Sequence, residues 1–166
     1  MTPSEILDDT LATWRRERPD LDFDAMGTSL RLAQLVSQAS RWLEAVVAVH
    51  GVNLGEFDVL AALRRAGDGA TLGPTALARV AMVSPSGMTS RLDRLEAAGL
   101  IVRRPDPDDR RGSLVALTAG GRTVADSAIE DVATSESEFF NVLNASDRKR
   151  LDRTLDLLIG NLELRG

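Results

Sequence analysis

Between residues 84 and 111 the chain concentrates side chains able to hold phosphates and read polar edges. These are Arg91, Arg94, Arg103, Arg104, Arg110 and Arg111, with Ser84, Ser86, Gly87, Thr89 and Ser90 close by. Guanidinium groups neutralise phosphate oxygens and bond base edges in pairs, hydroxyls reach either target, and small residues let a helix approach closely. Six arginines against five acids put this stretch at +1 within a chain of net charge −5. The overall acidity argues against nucleic acid as a partner, but the distribution leaves room for a local basic surface.

Other chemistries find little support. There is no cysteine, which removes disulfides, thiolate nucleophiles and thiol oxidation sensing. The single histidine, His50, supplies no pair for a transition metal, so neither metal nor cofactor is expected. No phosphate-cradling glycine loop or nucleophile elbow is present, and an enzyme is not expected. The chain has no apolar run of about 18 residues and no basic-then-apolar leader at Met1, so a cytoplasmic protein without membrane association is expected.

The elements that must position the arginines can be read from periodicity. Residues 4–18 form a short helix carrying Leu7, Leu11 and Trp14 on one face, stopped by Pro19. Residues 25–49 form a long helix with a stripe of Leu32, Leu35, Val36, Ala39, Leu43, Val46 and Val47, closed at Gly51. Helices at 56–65, 74–81 and 85–98 follow, the last capped by Ser84 with Pro85 at its first position and Gly99 beyond its end. This is a helix-turn-helix outline. Two β-prone runs at 100–104 and 114–117 flank a charged, proline-bearing loop, making a hairpin that acts as a wing.

Thr118 caps a helix running to about residue 143, and Ser146 caps a last one whose Leu151, Leu155, Leu158 and Leu162 form a stripe suited to a partner. The expected class is mainly α with a small β-hairpin wing: a winged helix-turn-helix with terminal dimerisation helices. Its regions are an added helix at 1–24, a long helix at 25–52, the winged helix at 53–118 and C-terminal helices at 119–166. On the helix after Pro85, Met88, Leu92 and Leu95 share one face, and Ser86, Ser90 and Arg94 the opposite one. Arg91 borders the apolar face, where Asp58 is a candidate carboxylate partner.

The run from Leu77 to Arg122 contains R-L-x-x-L-E-x-x-G-L-I-x-R, then D-x-R, then L-T-x-x-G. It resembles the recognition helix, wing and following helix cap of MarR-family transcriptional regulators, and the resemblance extends over about residues 25–163. It implies a homodimer on double-stranded, pseudo-palindromic DNA. Asp109 and Arg111 would then be a wing pair, with Arg111 entering the minor groove.

A finer resemblance, to the urate-responsive HucR/PecS subgroup, rests on the added helix together with Trp14, Asp58, Arg91 and Arg103. It implies that Trp14 and Arg103 hold a small organic anion, urate above all, that the anion repels Asp58, and that Arg91 passes the disturbance to the recognition helix. A phenolic acid or tricarboxylate as the effector, or a winged-helix protein-interaction module, are the alternatives.

Overall fold

A computed structural model describes residues 2–81, 85–107 and 112–164. The chain divides into two compact units, residues 1–54 and 55–166.

The first unit is a pair of helices. Helix α1, Pro3–Glu17, begins at a capping box: the Thr2 hydroxyl accepts the Glu5 N–H while the Glu5 carboxylate accepts the Thr2 N–H. Helix α2, Asp24–Ala48, packs on α1, with Leu7, Leu11 and Phe23 as their buried cluster. Gly27 makes the close approach possible, since a Cβ there would lie 3.0 Å from Leu11 Cδ1. Ion pairs Arg31–Asp8 and Arg15–Asp24, both 2.9 Å, flank the seam but are exposed and add little. Of the stripe expected on α2, Val47 is buried, whereas Leu32, Leu35 and Val36 remain exposed in the single chain.

The second unit holds the remaining helices and the hairpin. These are α3 (Leu54–Arg65, entering from the first unit), α4 (Pro74–Val80), α5 (Pro85–Ala97), β1 (Ile101–Pro105), β2 (Ser113–Leu117), α6 (Ala119–Phe140) and α7 (Ala145–Glu163). Its core draws Leu60 and Leu63 from α3, Leu77 from α4, Met88, Leu92 and Leu95 from α5, Ile101 from β1 and Val115 from β2. Helix α4 packs on α5 and β2, α5 on β1, and β2 on α6.

The hairpin pairs antiparallel from Ile101 with Leu117 to Pro105 with Ser113. A third, one-residue strand lies beside it, because Leu72 and Val115 exchange both backbone hydrogen bonds at 3.0 and 2.9 Å. Periodicity over a single residue carries no signal, so this bridge was not expected.

Three helix ends differ from expectation by two residues or more, the first being α3, which starts at Leu54 rather than 56. Helix α6 starts at Thr118 as expected, its hydroxyl accepting the Gly121 N–H at 2.9 Å, but ends at Phe140 rather than near 143. Helix α7 is capped by Asn144, not Ser146. The Asn144 side-chain oxygen accepts the N–H groups of Ser146 and Asp147 at 2.9 and 3.0 Å, placing Ser146 inside the first turn. No described residue of α7 is buried, and Leu158 and Leu162 are exposed.

Candidate functional site

Helix α5 is amphipathic in the sense its spacing demands. Met88, Leu92 and Leu95 are each about 1–2% exposed, whereas Thr89, Ser90 and Arg94 reach the surface. Pro85 starts the helix with its fixed φ, and Gly99, at φ 70°, lets the chain reverse into β1. The Leu100 N–H then bonds the Leu95 carbonyl at 2.9 Å, fixing the root of the wing on the end of the helix. Ser86 lies in the first turn of α5 and Gly87 next to it. Arg104 is exposed on β1, opposite Leu114. Ser84, Asp109, Arg110 and Arg111 lie outside the described residues.

Arg94 does more than face outward. Its Nε donates to Glu56 Oε1 at 2.6 Å and its Nη1 to Ser90 Oγ at 2.9 Å. Glu56 lies on α3 and is the one charged residue in the buried class among the described residues. Sequence reading passed over it, although its spacing to Val59, Leu60 and Leu63 puts it on the buried face of α3.

Arg103 is likewise engaged. Its Nη2 donates to Asp93 at 2.5 Å, and its backbone N–H to Glu96 at 3.2 Å, both acceptors on α5. Its buried Nε lies 3.4 Å from Glu96 Oε2, an ion contact without a hydrogen bond. The wing is therefore tied to α5 by charge as well as by the chain turn. Asp93 and Glu96 were not singled out from sequence, because nothing local marks them as partners of a residue seven to ten positions on.

Arg91, half-buried, donates from Nη1 to the Gly55 carbonyl at 3.3 Å. Only glycine permits this pose, since a Cβ at residue 55 would stand 2.3 Å from Arg91 Cζ. Asp58, one turn along α3, has its carboxyl pushed above the ordinary value by burial, an effect that the Arg91 charge partly offsets. Asp58 also lines a cleft of about 330 Å³ with Phe57, Ala61, Arg65, Ile129 and Glu136, between α3 and α6. Arg91 and Arg103 do not line that cleft.

Trp14 belongs to the first unit. It stacks on Phe23 with ring centroids 5.9 Å apart and remains 45% exposed. Of the four expected effector residues, Asp58 and Arg91 are thus electrostatic neighbours, Arg103 sits at the wing root, and Trp14 stands on α1.

A second charged cluster joins the turn after α3 to α6. Arg64 Nε bonds Asp126 at 2.5 Å, Arg64 Nη1 approaches Asp68 at 3.4 Å, and Arg122 bonds Asp68 as well. Arg122 holds the Asp68 carboxyl below its ordinary value. Among the described residues no helix is long and apolar enough to cross a membrane, and no three acidic or histidine side chains are grouped to hold a metal.

Comparison with known proteins agrees with this architecture. A family model described as the MarR family matches residues 50–112. The transcriptional regulator PecS of Dickeya dadantii is 34% identical over 146 residues, covering 86% of each chain. Among solved structures, a mutant MarR from Escherichia coli complexed with operator DNA superposes with TM-score 0.71 at 30% identity, covering 82% of this chain and 96% of that one. AbsC, a MarR family regulator from Streptomyces coelicolor, gives TM-score 0.73 at 25% identity over 86% of this chain and 97% of its own.

Proposed function

Because this chain belongs to the MarR family of winged-helix transcriptional regulators, which are not enzymes, we propose that it is a cytoplasmic, dimeric repressor released from its operator by a small organic anion. The division of α5 carries this reading: three apolar side chains anchor the helix in the core while Thr89, Ser90 and Arg94 stay at its surface. A helix so anchored presents small polar groups to a major groove without exposing its core. Ser84, Ser86, Gly87, Thr89, Ser90 and Arg94 serve base edges and phosphates. Arg104, Arg110 and Arg111 serve the flanking groove, with Asp109 orienting Arg111.

The exposed stripes on α2 and α7 support a homodimer, since Leu35, Val36, Leu158 and Leu162 are costly to leave in water. A twofold dimer requires half-sites about one helical turn apart.

For the effector, the resemblance to the urate-responsive subgroup assigns Trp14, an exposed aromatic, and Arg103, a guanidinium, each of a kind that an anionic purine such as urate can use. An anion drawing on Arg103 competes with Asp93 and Glu96, both on α5, so its binding acts on the recognition helix. A second negative charge near Asp58 is further disfavoured, because that carboxyl is already costly to ionise. The anion then shifts the population toward a state that fits DNA less well.

The test is an electrophoretic shift on DNA upstream of the protein's own gene, titrated with urate, xanthine, salicylate and citrate at fixed salt. Release by urate alone supports the whole reading. Binding with release by another anion replaces urate, and no binding at low salt rejects the repressor.

A further inference from the structure

We propose that Glu56 is a positioning residue for DNA reading: by gripping Arg94 from beneath, it fixes one guanidinium for a single base pair in each half-site. The inference rests on the proposed role of Arg94 at the interface, and it goes further by assigning the specificity of that contact to a residue that never meets DNA.

Burying a carboxylate is expensive unless a cation and hydrogen bonds compensate. The Glu56 side chain is 10% exposed, while the Arg94 side chain that bonds it is 54% exposed. The pair therefore runs from the interior to the surface, with the acid as its root. The first turn of α3 suits an acid through the helix dipole, but a side chain so withdrawn from water also needs a cation beside it.

The geometry gives a further reason for the pair. A free arginine side chain carries about 2 kcal/mol of rotamer entropy that must be lost when it reads a base. Here Nε is held at 2.6 Å by Glu56 and Nη1 at 2.9 Å by Ser90, one turn back on the same helix. Two anchors from different directions set the plane of the guanidinium before DNA arrives. Among the described residues Nη2 has no bonded partner, which leaves the outer edge of the fork available. Planar donors in fixed orientation distinguish a guanine edge from other bases, whereas a mobile cation settles on any phosphate.

The same carboxylate lowers the general pull of Arg94 on the backbone. Glu56 thus gives up non-specific affinity in favour of discrimination, and neutralising it lowers discrimination without lowering affinity for non-specific DNA.

The test uses the full chain and its footprinted operator. Glu56→Gln, Arg94→Ala, Arg94→Lys and the Glu56→Gln/Arg94→Ala double variant are compared on a set of operators carrying single base-pair changes and on a random duplex. In Glu56→Gln, discrimination is expected to fall about tenfold at the base pair where Arg94→Ala also loses it, with affinity for the random duplex unchanged or higher. The double variant loses no more than Arg94→Ala.

A Glu56→Gln protein that keeps its discrimination, or loses affinity equally on every duplex, overturns the proposal. Should Glu56→Gln fail to fold, Arg94→Lys decides: it keeps a cation over Glu56 but lacks the fork, so discrimination intact in that variant also overturns it. If Arg94→Ala reads the operator normally, the Arg94 contact itself falls, and this inference with it, while the rest of the proposed function stands.

Discussion

Two adjacent glycines in the first turn of α6 should respond in opposite ways to the same substitution. A Cβ on Gly121 would lie 1.8 Å from the Leu100 carbonyl oxygen and 2.7 Å from its carbon, whereas one on Gly120 meets only Thr118 Oγ1 at 3.8 Å. The oxygen must yield by more than an ångström, and it is not free to do so. It accepts the Thr118 N–H at 3.0 Å and the Thr118 hydroxyl at 3.2 Å, and Leu100 is itself held to Leu95 through its N–H.

Overpacking of this kind costs about 1–3 kcal/mol, and weakening two hydrogen bonds adds about 1 kcal/mol each. A loss of about 3–5 kcal/mol corresponds to a fall of about 6–20 °C in Tm for a chain of this size. Gly120→Ala gains instead about 0.5–1 kcal/mol from helix propensity. Thermal melts followed by circular dichroism at equal protein concentration measure both. Because Leu100 leads directly into β1, Gly121→Ala should also weaken operator binding by displacing the wing. A Gly121→Ala protein that melts with the wild type, or a Gly120→Ala protein that melts lower than Gly121→Ala, refutes the reasoning.

Individual side chains give three more expected outcomes. Asp58 has a raised pKa in the folded chain, so its contribution favours folding below the ordinary carboxylate value of 3.8 and is lost as pH climbs through the raised pKa. Asp58→Asn is therefore expected to be more stable than wild type at neutral pH, the gap closing under acid; urea midpoints across that range measure it, and equal midpoints at pH 7 contradict it. Trp14→Phe and Arg103→Ala are expected to bind operator yet lose release by urate in the same shift assay, and normal release in both removes these residues from the effector site. Arg111→Ala should weaken operator binding and lower the slope of log affinity against log salt by about one; an unchanged slope means that Arg111 touches no phosphate.

Much of the winged-helix unit was legible in the sequence because its signals are local. The split of α5 into a buried face of Met88, Leu92 and Leu95 and an open face with Ser90 and Arg94 follows from helical spacing. Thr118 announced the start of α6 because a hydroxyl three residues ahead of a backbone N–H can satisfy it without help from the rest of the fold. At α7 the sequence pointed to Ser146 as the cap, whereas the structure has Asn144 there, its side chain accepting the Ser146 and Asp147 N–H groups.

Sequence alone determined which stretches become helix or strand, which faces are apolar and where arginines gather, since each of these depends on neighbours within a turn or two. Only the tertiary structure decided what each charge is for. Arg94 and Glu56 lie 38 residues apart, Arg64 and Asp126 lie 62 apart, and the Gly55 backbone meets Arg91 across 36. Such pairings arise when packing brings distant segments together and withdraws their polar groups from water, so that each must find whatever partner the fold supplies.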